Sequence, residues 1–133
     1  MNKIRQENIG NIKTPKGAFD YAKSIGKPVP ELEDAIAQDP KYSYYYARNI
    51  LKSRFRKGED AIAQNPEYSY EYARDIIKGR LEKGEGTIAQ DSFCSYWYAV
   101  NVIKGRFEKG EDAIAQSPVW SKWYAKEFGL KNE

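Results

Sequence analysis

Residues 33–58 and 59–84 are identical at 18 of 26 positions, and this self-similarity narrows the fold more than any single residue does. Aligned on Glu-Asp-Ala-Ile-Ala-Gln, units begin at Glu33, Glu59, Glu85 and Glu111. The third unit is looser (Glu-Gly-Thr-Ile-Ala-Gln), and the last, 111–133, is short. Upstream, Thr14-Pro15 falls where Asp39-Pro40 and Asn65-Pro66 fall, so 14–32 opens with a partial copy. The expected organisation is one domain over 1–133. It comprises an extension at 1–13, a half repeat at 14–32, full repeats at 33–58, 59–84 and 85–110, and a capping repeat at 111–133.

Each unit should be two helices. Thr14, Asp39, Asn65 and Ser117 each precede a proline. A side chain that accepts the first free N–H groups, followed by a residue with no N–H to satisfy, is a helix start. The longer helix so begun should reach about Lys78 in the second unit, with Gly79 and Gly105 marking stops. The shorter helix carries Ala-Ile-Ala and opens on acidic residues, which suit the positive end of the helix dipole. No run alternates with the period of a strand. Two short helices cannot bury their faces alone, so the units should stack. The fold class expected is all-α, a short right- or left-turning α-solenoid of 26-residue two-helix repeats.

At about 100° per residue, Ser69, Tyr72, Ala73, Ile76 and Ile77 share one arc of the longer helix, while Glu71, Arg74, Asp75 and Lys78 face away. The Tyr72-Ala73 pair recurs as Tyr21-Ala22, Tyr46-Ala47, Tyr98-Ala99 and Tyr124-Ala125. A tyrosine beside a small residue suits close helix approach, with the phenol oxygen reaching a partner at the core's edge. Much of the chain's richness in tyrosine, eleven copies, is therefore architectural. Arg54, Arg80 and Arg106, each five residues before Glu59, Glu85 and Glu111, read as ion pairs or carbonyl caps that set the turn.

Where copies disagree, something besides stacking decides the residue. The outward position of Glu71 is Tyr45, Trp97 and Trp123 in other copies, followed one turn on by Arg48, Arg74, Val100 and Lys126, then by Lys52, Lys78 and Lys104. Tyr45, Arg48, Lys52, Arg74, Lys78, Trp97, Val100, Lys104, Trp123 and Lys126 form the candidate partner-binding stripe, a composition that binding hot spots favour. Trp97 with Val100 stands out, because apolar bulk replaces charge.

Chemistry-bearing patterns are missing. With no histidine and only Cys94, the chain has neither the commonest base nor a cysteine-rich metal site. No phosphate-cradling glycine loop or catalytic triad is present. The expectation is a protein that is not an enzyme and needs no cofactor or metal. A net charge of +3, from 22 basic and 19 acidic residues, argues against binding a polyanion by charge alone. No signal-like or membrane-length apolar run occurs, so a cytoplasmic protein with no membrane partner is expected.

The string Tyr-Ala-Arg-Asp-Ile-Ile-Lys-Gly-Arg (72–80), with Glu-Asp-Ala-Ile-Ala-Gln and Asp/Asn-Pro, resembles tandem helical repeats of phage and prophage proteins that have no assigned activity. The resemblance covers 14–133 and carries no catalytic residue. It implies a phage-encoded protein in a bacterial host, binding a host factor and inhibiting, for example, a defence enzyme. Three functions follow as expectations. The first is a protein-binding repeat module. The second is a nucleic-acid binder using aromatic stacking and Arg/Lys contacts. The third is a homo-oligomer assembled through its ends.

Overall fold

Thr14, Asp39, Asn65, Asp91 and Ser117 all hold extended backbone, and each side chain accepts a hydrogen bond from the N–H three residues on. These five caps start α1 (Pro15–Ile25), α3 (Pro40–Tyr45), α5 (Pro66–Tyr72), α7 (Ser92–Tyr98) and α9 (Pro118–Glu127). Between them lie the shorter helices α2 (Glu33–Ile36), α4 (Glu59–Ile62), α6 (Glu82–Ile88) and α8 (Glu111–Ala115). A 3-10 turn leads into three of these, at Pro30–Leu32, Arg56–Gly58 and Glu108–Gly110, and α6 absorbs it. The structure is a computed structural model that describes residues 9–130. Among the described residues the chain is all-α, with nine α-helices and no strand. Most of the expected extension (1–8) and the end of the capping repeat (131–133) lie outside the described residues.

Three long helices widen before they stop. Over Tyr46–Leu51, Ala73–Ile77 and Ala99–Ile103 the hydrogen bonds reach back five residues instead of four. The Lys78 and Lys104 N–H groups bond the Ala73 and Ala99 carbonyls at 2.7 Å. Lys52, Lys78 and Lys104 then close the turn in left-handed conformation, at φ 55°, 58° and 60°. The left-handed residue is thus the lysine, and Gly79 and Gly105 come one place later. A residue with a Cβ costs about 1 kcal/mol there, and the wide turn holds it in place. A five-residue reach also turns less than 100° per residue. Ile76 and Ile77 accordingly sit half-buried, whereas Tyr72, Ala73 and Ser69 are fully buried.

The chain divides into two compact units, Met1–Ile62 and Ala63–Glu133. In the first, Phe19, Val29, Leu32, Ile36, Tyr44, Tyr46 and Phe55 are buried. In the second, Leu81, Ile88, Tyr96, Tyr98, Phe107, Ile114 and Tyr124 are. The recurring tyrosines Tyr46, Tyr72, Tyr98 and Tyr124 are buried, and Tyr21 is half-buried.

A polar joint repeats inside both units. Tyr98 Oη accepts from the Leu81 N–H at 3.0 Å and donates to Glu85 at 2.7 Å. Tyr46 does the same with Val29 and Glu33, and Tyr124 with Phe107 and Glu111. Arg80 and Arg106 grip Glu85 and Glu111 through two parallel hydrogen bonds each, as Arg54 grips Glu59. These arginines are therefore ion-paired, as the five-residue spacing suggests. In the first copy Pro28 stands at the arginine position. The paired geometry matters because Glu85 is fully buried. Burial alone would raise its pKa, yet hydrogen bonds from Arg80 and Tyr98, with the Arg80 charge, hold it below the ordinary value.

The Lys-Gly of the later copies, which stands where the first copy has Glu31-Leu32, has a packing reason. A Cβ on Gly84 would lie 2.8 Å from Ser69 Oγ, and one on Gly58 or Gly110 would meet Ser43 or Ser95. The shorter helix lies directly on a buried serine of the longer one. Ser43 and Ser95 donate in turn to the Ile36 and Ile88 carbonyls, at 3.0 and 2.8 Å.

Candidate binding groove

In the unit Ala63–Glu133, three caps set α5, α7 and α9 in parallel roles, and side chains from all three reach a common cavity of about 530 Å³. Helix α5 and its wide turn supply Glu67, Tyr70, Glu71 and Arg74. Helix α7 and its wide turn supply Phe93, Trp97 and Asn101, and α9 supplies Trp120.

One end is polar and organised around a buried phenol. Tyr70 Oη accepts from Asn101 Nδ2 at 2.8 Å and from Arg74 at 3.3 Å. The Arg74 guanidinium stands 5.1 Å from the Tyr70 ring centroid. Two hydrogen bonds to Asp75, at 2.7 and 2.9 Å, neutralise it and raise its pKa further above the arginine value. A guanidinium lying over an aromatic ring with its charge met by a carboxylate is a favourable arrangement.

The other end is aromatic. Trp120 lies 5.4 Å from Phe93 at 81°, 6.0 Å from Trp97 at 69°, and 5.1 Å from Tyr96. Tyr96 meets Trp97 edge-on at 4.9 Å. Trp97 and Trp120 are half-buried, and Phe93 keeps 46% of its surface exposed. A second cavity of about 480 Å³ shares Glu67 and Phe93 with this one and adds Asn65, Pro66, Asp91 and Cys94. The Cys94 thiol is buried, and burial first, then the Asp91, Glu67 and Glu71 carboxylates, push its pKa up, which withholds the thiolate a nucleophile needs. Among the described residues no three acidic, histidine or cysteine side chains gather as they would around a metal ion. None of their helices is long and apolar enough to cross a membrane.

Of the stripe expected from sequence, Arg74 and Trp97 meet at this cavity. Val100 is half-buried, while Lys78 and Lys104 are exposed at their left-handed turns. Trp123, half exposed, carries Lys126 over its ring at 5.4 Å, and neither lines the cavity. Tyr45, Arg48 and Lys52 belong to the unit Met1–Ile62. There Tyr45 packs on Phe19 and Tyr44 at 6.5 and 5.2 Å, and Arg48 and Lys52 face solvent.

Tyr70, Phe93, Asn101 and Trp120 line the groove without being on the stripe. Phe93 and Trp120 were visible as departures, since Lys41 and Glu67 stand at the one position and Tyr42, Tyr68 and Cys94 at the other. Tyr70 and Asn101 carried no signal, having Tyr44 and Asn49 as ordinary counterparts. No protein-family model, curated protein or solved structure matches the chain.

Proposed function

We propose that the chain is a non-enzymatic helical-repeat module that binds another protein, and that the aromatic groove of its second unit is the docking surface. In this reading the 26-residue units stack as a short, right- or left-turning α-solenoid. The observation that carries the proposal is the convergence of Phe93, Trp97 and Trp120 on one cavity beside Tyr70 and Arg74. Tryptophan, tyrosine and arginine in a half-open pocket are what a partner's side chain buries against most profitably. A nucleic acid fits this groove less well, because Glu67 and Glu71 would face its phosphates. The narrower form of the proposal follows the sequence resemblance: a phage-encoded inhibitor of a host or defence factor, working in the bacterial cytoplasm.

A photo-crosslinking residue at the exposed Asn101 position tests the docking surface in host lysate. A reproducible protein adduct that disappears in Trp97→Ala, with the helical circular-dichroism signal retained, supports the reading. Absence of an adduct, or one indifferent to Trp97→Ala, refutes it.

A further inference from the structure

Wherever this chain turns an aromatic ring outward at the position of Trp97, a cation of its own follows three residues later, with one exception. Tyr45 is followed by Arg48 and Trp123 by Lys126, and even Glu71 is followed by Arg74. At Trp97 that place is taken by Val100. Two of these cations do meet a ring. Lys126 lies over Trp123 at 5.4 Å, and Arg74 over Tyr70 at 5.1 Å. The cation–π pairs among the described residues are these and Lys41 with Tyr42, so Trp97 belongs to none.

The surroundings of Trp97 are nonetheless those that hold a cation. Trp120 stands nearly perpendicular to both Trp97 and Phe93, so the three rings form walls of a corner on one cavity of about 530 Å³. Glu67 and Glu71 line the same cavity, and Asp91 lines the adjoining one. The carboxylates act on this neighbourhood, since Asp91, Glu67 and Glu71 all add to the upward push on the Cys94 thiol that burial begins. The basic group at the rim, Arg74, already has both oxygens of Asp75. Aromatic walls offer their negative faces to a positive charge, and carboxylates complete the match.

We infer that the Trp97–Trp120–Phe93 corner, with Glu67 and Glu71, is a receptor for a basic side chain of the partner, a guanidinium or ammonium group supplied in trans where Lys126 supplies one in cis to Trp123. This deepens the docking reading above and rests on it. The corner suits an arginine best, because a planar guanidinium can lie on an indole and bond a carboxylate with two N–H groups at once.

The test is an NMR titration of the full chain, reading the three indole N–H signals. The probes are N-acetyl-arginine-N-methylamide, its lysine analogue, and the neutral citrulline isostere. Trp97 and Trp120 indoles should shift with arginine or lysine and stay still with citrulline, while Trp123 stays still throughout. Glu67→Gln with Glu71→Gln should weaken the response roughly fivefold or more. Val100→Lys restores the cis cation that the other copies tolerate, and should block the probe. Equal response to citrulline, response only at Trp123, no response to either cation, or indifference to Val100→Lys would each overturn the inference. If the cation probes fail while the Asn101 adduct persists, the receptor inference falls and the docking reading stands. Loss of the adduct alone removes the docking reading instead.

Discussion

Replacing Tyr98 by phenylalanine removes one oxygen from a buried joint and leaves its ring in place against Phe107, 5.0 Å away. The oxygen serves two groups. The Leu81 N–H, at a residue 3% exposed, loses its acceptor, and an orphaned buried donor costs about 1–3 kcal/mol. Glu85, fully buried, loses a 2.7 Å hydrogen bond to its charge but keeps Arg80 and Lys109. A hydrogen bond to a charged group contributes about 1.5–3 kcal/mol, and the two losses share one oxygen, so they do not add fully. The expected cost is roughly 3 kcal/mol, a fall in melting temperature on the order of 10 °C. Urea unfolding followed by both tryptophan fluorescence and circular dichroism measures it, since Trp97, Trp120 and Trp123 all lie in the unit that holds Tyr98. Coincident curves from the two probes license a single free energy. Tyr21→Phe, at the corresponding but half-buried position, should change stability by no more than about 0.5 kcal/mol. A cost below about 1 kcal/mol for Tyr98→Phe, or one equal to that of Tyr21→Phe, would show that the joint does not hold the helices together.

Two glycines of α6 should respond in opposite directions. Gly84→Ala drives a Cβ to 2.8 Å from Ser69 Oγ and should cost about 1–3 kcal/mol. Gly86→Ala meets nothing within 4 Å and should stabilise by about 0.5–1 kcal/mol, both read by urea titration. Lys104→Gly relieves a left-handed residue at φ 60° and should stabilise by up to about 1 kcal/mol; a loss of stability would mean its side chain, not its backbone, holds the turn. Stability should fall at both ends of the pH scale. Glu85 and Glu111 are held below the ordinary value of 4.5, so their contribution is present above that pH and drains away as pH drops through their folded values. Tyr124, pushed up to about 12 from 10.0 by burial and by its bond to Glu111, contributes fully below pH 10.0 and loses that contribution towards pH 12. Melting temperatures across pH 3–12 check both limbs; a flat profile through either window would contradict the paired carboxylate and phenol.

Local signals carried most of the fold. An Asx, Ser or Thr side chain before proline acts on the N–H group three residues away, so all the information sits in one tetrapeptide, and every such cap forms. The Arg-to-Glu spacing of five likewise closes within one turn. The widened helix ends were invisible for an equally physical reason. Ala-Arg-Asp-Ile-Ile is compatible with bonds reaching four residues or five, and the choice is made by packing. That choice displaced the turn onto Lys78 and rotated Ile76 and Ile77 part-way out of the core. The groove was half legible. A wheel drawn on α7 turns Trp97 outward but cannot place Trp120 beside it, because the two meet only when α7 and α9 pack.

Recurrence and exposure together separate building from binding more sharply than either does alone. Lys52, Lys78 and Lys104 recur and are exposed, which made them resemble a basic stripe, yet the structure gives each the same backbone task of closing a widened helix. A residue with a task that repeats needs no partner to explain it. Phe93, Trp97 and Val100 have no such task, for the equivalent places in α5 and its wide turn are filled by Glu67, Glu71 and Arg74 on the same scaffold. Stacking therefore tolerates charge at all three, and apolar side chains there leave part of their surface to water with no gain in architecture. Phe93 and Trp97 also converge, with Trp120, around a single cavity instead of scattering along the chain. Independent drift at solvent-facing positions would give neither the shared chemistry nor the shared location, whereas the proposed docking of another protein would account for both.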